Sequence, residues 1–149
     1  LLMSANTNPI FPVTPFAITA SLAAVTACTT RGPTATAGLA AANISILCAA
    51  SNAGRRVDKI TVQAASTSIV APTAAQLVGI WLWDGTTAYL IDEFVVTLVT
   101  PSTTVPQFTL SKSYTNLVVP AAFALYMSTT ITTTAATTAL SVSVFGGDY

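Results

Sequence analysis

Apolar and polar positions alternate along most of this chain. From residue 16, Phe16, Ile18, Ala20, Leu22 and Ala24 interleave with Ala17, Thr19, Ser21 and Ala23. The pattern returns at Ile60, Val62 and Ala64 against Lys59, Thr61 and Gln63. It recurs at Phe123, Leu125, Met127 and Ile131 against Ala124, Tyr126, Ser128 and Thr130, and at Leu140, Val142 and Val144 against Ser141 and Ser143. Period two is the signature of a strand with one core face and one polar face. The abundant Thr and Val are β-branched and suit pleated surfaces. A helix competes only in the Ala-rich stretch 39–50, where Asn43, Ile44 and Ile46 favour a strand after residue 43. The pattern predicts strands near 16–27, 43–50, 57–65, 76–83, 88–99, 107–115, 122–131 and 139–146, separated by Gly, Pro, Asn and Asp. Short strands at this spacing predict an all-β fold, a jelly-roll-like β-sandwich of about eight strands. Val62, Leu125, Val142 and Val144 are expected in its core.

The sharpest local signal is Trp83-Asp84-Gly85-Thr86-Thr87. Asp-Gly between apolar runs marks a hairpin, because both residues tolerate positive φ. With a two- or a four-residue loop, Val78, Ile80 and Leu82 share a face with Tyr89 and Ile91. The other face then carries Trp81 and Trp83, with Leu90, Phe94, Val96 and Leu98 across from them or beyond. Both faces of the hairpin are apolar. One is core, and the other requires a second layer or another subunit.

Ahead of the strands, Pro9, Pro12 and Pro15 recur every third residue. That spacing forbids a helix and suits an extended arm over residues 1–15, followed by one sandwich domain over 16–149. Ile10 and Phe11 need burial, so the arm is expected to lie on a neighbouring subunit or a shell protein. The start has no positive charge, the first being Arg31, and so does not read as a signal peptide. Met3 is a plausible translation start. No apolar run reaches the 18 residues that a membrane-crossing helix requires.

Composition changes the picture in one respect. The 149 residues include 26 Thr, 26 Ala, no His, and only five basic and five acidic residues, for zero net charge. Charged residues are 7% of the chain, against about 25% in an ordinary soluble domain. So few charges of balanced sign cannot build a basic face for nucleic acid. A neutral surface also lacks the repulsion that keeps copies apart, and depletion of charge marks interface cores. This favours a subunit covered by neighbours over a monomer with a Thr/Ser skin. A symmetric homo-oligomer with salt-insensitive contacts is therefore expected.

Candidate chemistry is sparse. Without His there is no Ser–His pair, and no Gly-rich phosphate loop or nucleophile elbow occurs. No metal or other cofactor is expected, and no enzymatic activity. Cys28 and Cys48 read as free buried thiols, Cys48 sharing parity with Ile44 and Ile46. Asp92 and Glu93 fall on opposite faces of a strand, poorly placed as an acid/base pair. Arg55, Arg56, Asp58 and Lys59 form the one charge cluster, read as a solvated turn or a polar contact to a partner. The Thr-rich run 128–138 lacks the regular repeat of an ice-binding array.

One resemblance enters through the C-terminal two-thirds. It rests on the run from Ile80 through Trp81-Leu82-Trp83-Asp84-Gly85 to Glu93, then Pro101-Ser102-Thr103-Thr104, Leu117-Val118-Val119-Pro120, and the ending Val142-Ser143-Val144-Phe145-Gly146-Gly147-Asp148-Tyr149. Together these resemble a family of small tailed-bacteriophage virion proteins, some of them similar to capsid decoration, or cement, proteins. The match covers roughly residues 57–149. It implies a β-sandwich on the outside of an icosahedral head, bound to the major capsid protein as a homotrimer, with neither membrane nor nucleic acid as partner. Such a protein is made in the host cytoplasm and ends in the virion. The alternative is a carbohydrate- or receptor-binding module of a phage fibre or tail, using exposed aromatics. Ile10, Phe11, Trp81, Trp83 and Tyr126 are the candidate interface residues for these readings.

Overall fold

The computed structural model describes residues 12, 14–32, 34–35, 43–67 and 71–149. Nine strands form: β1 (Thr14–Leu22), β2 (Thr34–Ala35), β3 (Ile44–Cys48), β4 (Arg55–Ala64), β5 (Gln76–Trp83), β6 (Thr87–Val96), β7 (Thr109–Val119), β8 (Ala124–Thr129) and β9 (Leu140–Asp148). The described residues contain no helix. All eight expected strands are present, and the two-residue β2 is additional. β1 begins at Thr14, inside the expected arm. Ile10 and Phe11, with the rest of residues 1–11, lie outside the described residues.

The strands make two antiparallel sheets stacked as a β-sandwich, in the orders β1-β9-β4-β7 and β2-β6-β5-β8-β3. The chain changes sheet at every link from β3 onward except the β5–β6 hairpin. One apolar core joins the sheets. Val57, Ile60 and Val62 from β4 and Leu140, Val142 and Val144 from β9 meet Val78, Ile80, Phe94, Val96, Leu125 and Met127 from the other sheet. Val62, Leu125, Val142 and Val144 are fully buried, as alternation predicts. Burying each such side chain contributes roughly 1.5–3 kcal/mol.

Bulges account for where alternation misleads. Near its turn the hairpin pairs Trp83 with Ala88, Leu82 with Tyr89 and Trp81 with Leu90; the register then shifts, and Ile80 faces Asp92 while Val78 faces Phe94. The irregularity falls at Ile91. It carries Phe94 and Val96 to the core face and leaves Ile91 exposed, contrary to the faces expected from loop length alone, whereas Tyr89, on the turn side of the shift, pairs with Leu82 as a four-residue loop predicts. An inserted residue inverts every side chain beyond it. A second shift lies between Ile46 and Cys48. Leu47 and Cys48 are therefore both buried while Ile46 is 52% exposed, so Cys48 does not share the orientation of Ile46.

Candidate functional site

The sandwich presents two outer faces of opposite character. On the β1-β9-β4-β7 sheet, register aligns the outward residues into rows across four strands. One row is Thr19, Ser143, Thr61 and Ser111; the next is Ser21, Ser141, Gln63 and Thr109; a third is Ala17, Phe145, Lys59 and Ser113. Within the first row, hydroxyls pair across strands at 2.8 Å, Thr19 with Ser143 and Thr61 with Ser111. Lys59 is the one charge in these rows, and its ammonium sits over the Phe145 ring at 4.6 Å. The result is a surface dominated by small hydroxyl side chains, with a single charge in its three rows. Hydrogen-bonding groups repeat at about 4.8 Å between strands and about 6.7 Å along them.

The outer face of the other sheet is aromatic and roofed by the chain itself. Trp81 is 1% exposed and clusters with Cys28 and Ala88, against Ile44, Trp83, Leu90 and Tyr126. Its indole N–H donates to Ser128 Oγ at 2.8 Å. Gly79 makes room for this bond, since a Cβ there would lie about 3.0 Å from Ser128 Oγ and 3.1 Å from Trp81 Nε1. The roof is the segment after β1. Cys28 N–H donates to the Thr129 carbonyl at 2.7 Å, Asn43 Nδ2 to the Ala27 carbonyl at 2.6 Å, and Arg31 pairs with Glu93 at 2.9 Å. Thr132 and Thr133 accept from Ala27 and Val25 N–H groups. The Thr-rich run thus fastens the roof. A cleft of about 230 Å³ remains beneath it, lined by residues including Cys28, Arg31, Trp81 and Glu93. Trp83 and Tyr126 stack edge-on at 5.3 Å between centroids, both half-buried.

Two polar clusters tie the structure together. At the open side of the sandwich, Lys112 of β7 donates to Asp92 Oδ1 and to the Glu93 carbonyl, each at 2.6 Å. Tyr114 O–H donates to Asp92 Oδ2 at 2.5 Å. Burial alone would raise the Asp92 pKa, but the bonds from Lys112, Tyr114 and the Glu93 N–H outweigh it and hold the carboxyl below its usual range. Burial, together with the Asp92 partner, pushes the Tyr114 phenol up. Asp92 and Glu93 do take opposite faces, and each has its own cation. At the other side, Arg55 lies 2.7 Å from Asp148, reaches the Cys48 sulfur and sits 5.2 Å from the Phe16 ring centre. Burial raises the Cys48 thiol pKa, and Arg55 only partly offsets it. Arg56 pairs with Asp58 at 2.8 Å. The charge cluster is therefore the first half of β4 rather than a turn, because each of its side chains finds a partner along the strands.

Cys28 and Cys48 are free and buried, on opposite faces of one sheet. Among the described residues no group of three or more Cys, Asp or Glu side chains is arranged to hold a metal ion, and no helix is long and apolar enough to cross a membrane. Of the candidate interface residues, the structure brings Trp81, Trp83 and Tyr126 together, with Trp81 sealed beneath the roof. The hydroxyl rows escaped sequence reading. Their members appear there as the polar partners of each alternation, but only the strand order aligns them.

No family model and no curated protein matches the chain. A solved structure described as "Structure of infectious bursal disease virus Gx strain" is similar at a TM-score of 0.27 and 9% identity, over 99% of this chain and 41% of that one. The chain spans about two-fifths of that chain.

Proposed function

We propose that this chain is a non-catalytic structural subunit of a virus particle, a decoration protein that binds the major capsid protein on the outside of a tailed-phage head. The observation that carries the reading is the hydroxyl face. It is broad and almost uncharged, and it is mounted on a stiff sandwich whose interior is filled with apolar side chains. A lattice contact needs such a surface, since hydroxyls form direct or water-bridged hydrogen bonds without charge repulsion between crowded copies. The resemblance of residues 57–149 to small phage virion proteins points the same way. The sheet-to-sheet path of the strands supports the jelly-roll-like reading. The homotrimer that the resemblance implies belongs to this proposal.

The test is cosedimentation with purified heads lacking the protein. Binding that survives about 0.5 M salt and is released by mild denaturant is expected. Failure to bind heads, with binding on a glycan array instead, would replace this reading with the carbohydrate-binding module.

A further inference from the structure

A sandwich of two open sheets has four edges, and an unprotected edge is a template for another strand. Three of the four edges here carry protective features. β7 points Lys112 inward to Asp92, and its pairing with β4 is interrupted between Val57 and Lys59. β3 has five residues and a register shift between Ile46 and Cys48. β6 is partly covered by β2, carries the hairpin irregularity, and bears the Arg31–Glu93 ion pair.

β1 differs. It pairs with β9 through nine consecutive residues with no shift, from Thr14 opposite Asp148 to Leu22 opposite Leu140. Its sequence, TPFAITASL, holds no charge. Among the described residues no strand pairs with its other side. Its core-facing Phe16, Ile18 and Ala20 are only half-buried, while Val142 and Val144 on adjacent β9 are fully buried. Among the described residues, apolar surface therefore stays partly accessible along this edge, although β3 of the other sheet packs close to β1 there.

We infer that β1 pairs antiparallel with β1 of a second copy, about a two-fold axis at Thr19, joining two four-stranded sheets into one of eight strands. A second copy fits because both strands are uncharged and the register is self-complementary. Ala17 then faces Ser21 of the partner subunit on the hydroxyl side. Ile18 faces Ala20 of the partner subunit on the core side, covering apolar surface that the described residues leave partly accessible. The rows of hydroxyls continue across the axis. This contact goes beyond the decoration reading and does not depend on it. A two-fold contact is also distinct from a three-fold one, so a trimer that uses it becomes a hexamer.

The test is solution mass by sedimentation equilibrium. Two double variants at exposed positions set opposite charges on the same edge. Ala17→Lys with Ser21→Lys places like charges opposite one another and halves the wild-type mass, dimer to monomer or hexamer to trimer. Ala17→Lys with Ser21→Glu places opposite charges across the axis and keeps the wild-type mass. Unchanged circular dichroism and thermal midpoints show that both variants fold; should the Lys/Lys variant not fold, amide exchange of the wild type decides, with protection on both sides of β1 expected. A wild type that is monomeric at all concentrations, a mass untouched by the Lys/Lys pair, a Lys/Glu pair that dissociates equally, or free exchange along the outer side of β1 would each overturn the inference.

Discussion

The two outer faces of this sandwich are built from the same kind of strand yet handle their surface in opposite ways. The β1-β9-β4-β7 face needs no cover, because its outward rows are mostly Thr, Ser and Gln, which water satisfies, and its Lys59 lies over the Phe145 ring. The β6-β5-β8 face places Trp81, Leu90 and Tyr126 outward, and the chain crosses back over it to bury the indole. An apolar outward row therefore does not by itself announce a partner. Here much of the second layer is residues 25–31 of the same chain, fastened by Thr132, Thr133 and Glu93. The face that looks adhesive in sequence is largely spent on internal packing. The one that looks inert is left open by the described residues.

The largest expected effect tests whether the aromatic face is a true second core. Trp81→Ala removes a fully buried indole and strands Ser128 Oγ, so it should cost about 3–5 kcal/mol, measured by urea unfolding. A loss below about 1 kcal/mol would mean that the roof is loosely held and the indole easily solvated.

Much of this architecture is legible in the residues. Alternation locates eight strands and puts Val62, Leu125, Val142 and Val144 inside, because a half-buried strand must repeat every two residues. The Asp84-Gly85 turn is equally plain: Asp84 accepts from the Thr86 and Thr87 N–H groups at 2.8 and 2.7 Å, and Gly85 adopts φ +102°. Bulges are not legible. The shift near Ile91 has no composition signal, yet it moves Phe94 and Val96 across the sheet. The roof and the hydroxyl rows were hidden for another reason, since both depend on which distant strands become neighbours.

A middle-sized effect probes the clamp between the two sheets. Asp92 has a folded pKa below its unfolded value. Its contribution is therefore full above about pH 4 and is lost as pH falls through the lowered folded value. Asp92→Asn should cost about 1 kcal/mol near neutral pH, a modest figure because the cluster is partly solvated. The difference between variant and wild type should shrink as the pH drops below 4, read from urea midpoints across a pH series. A constant difference would show that the clamp acts through shape rather than charge.

The smallest expected effect is the sharpest test of the contrast between faces. Thr61 and Ser111 bond to each other on the hydroxyl face at 2.8 Å, in contact with solvent. Water replaces either partner, so Thr61→Ala and Ser111→Ala should each change stability by no more than about 0.5 kcal/mol, with a coupling of about 0.2–1 kcal/mol in the double-mutant cycle. The same two substitutions should weaken binding to heads, where the hydroxyls would meet a partner instead of water. Stability losses comparable to that of Trp81→Ala would make the rows structural ties, and the face would then be no freer than the aromatic one. Small losses with weakened head binding would instead separate the two faces by role, one holding the sandwich together and the other available to a partner.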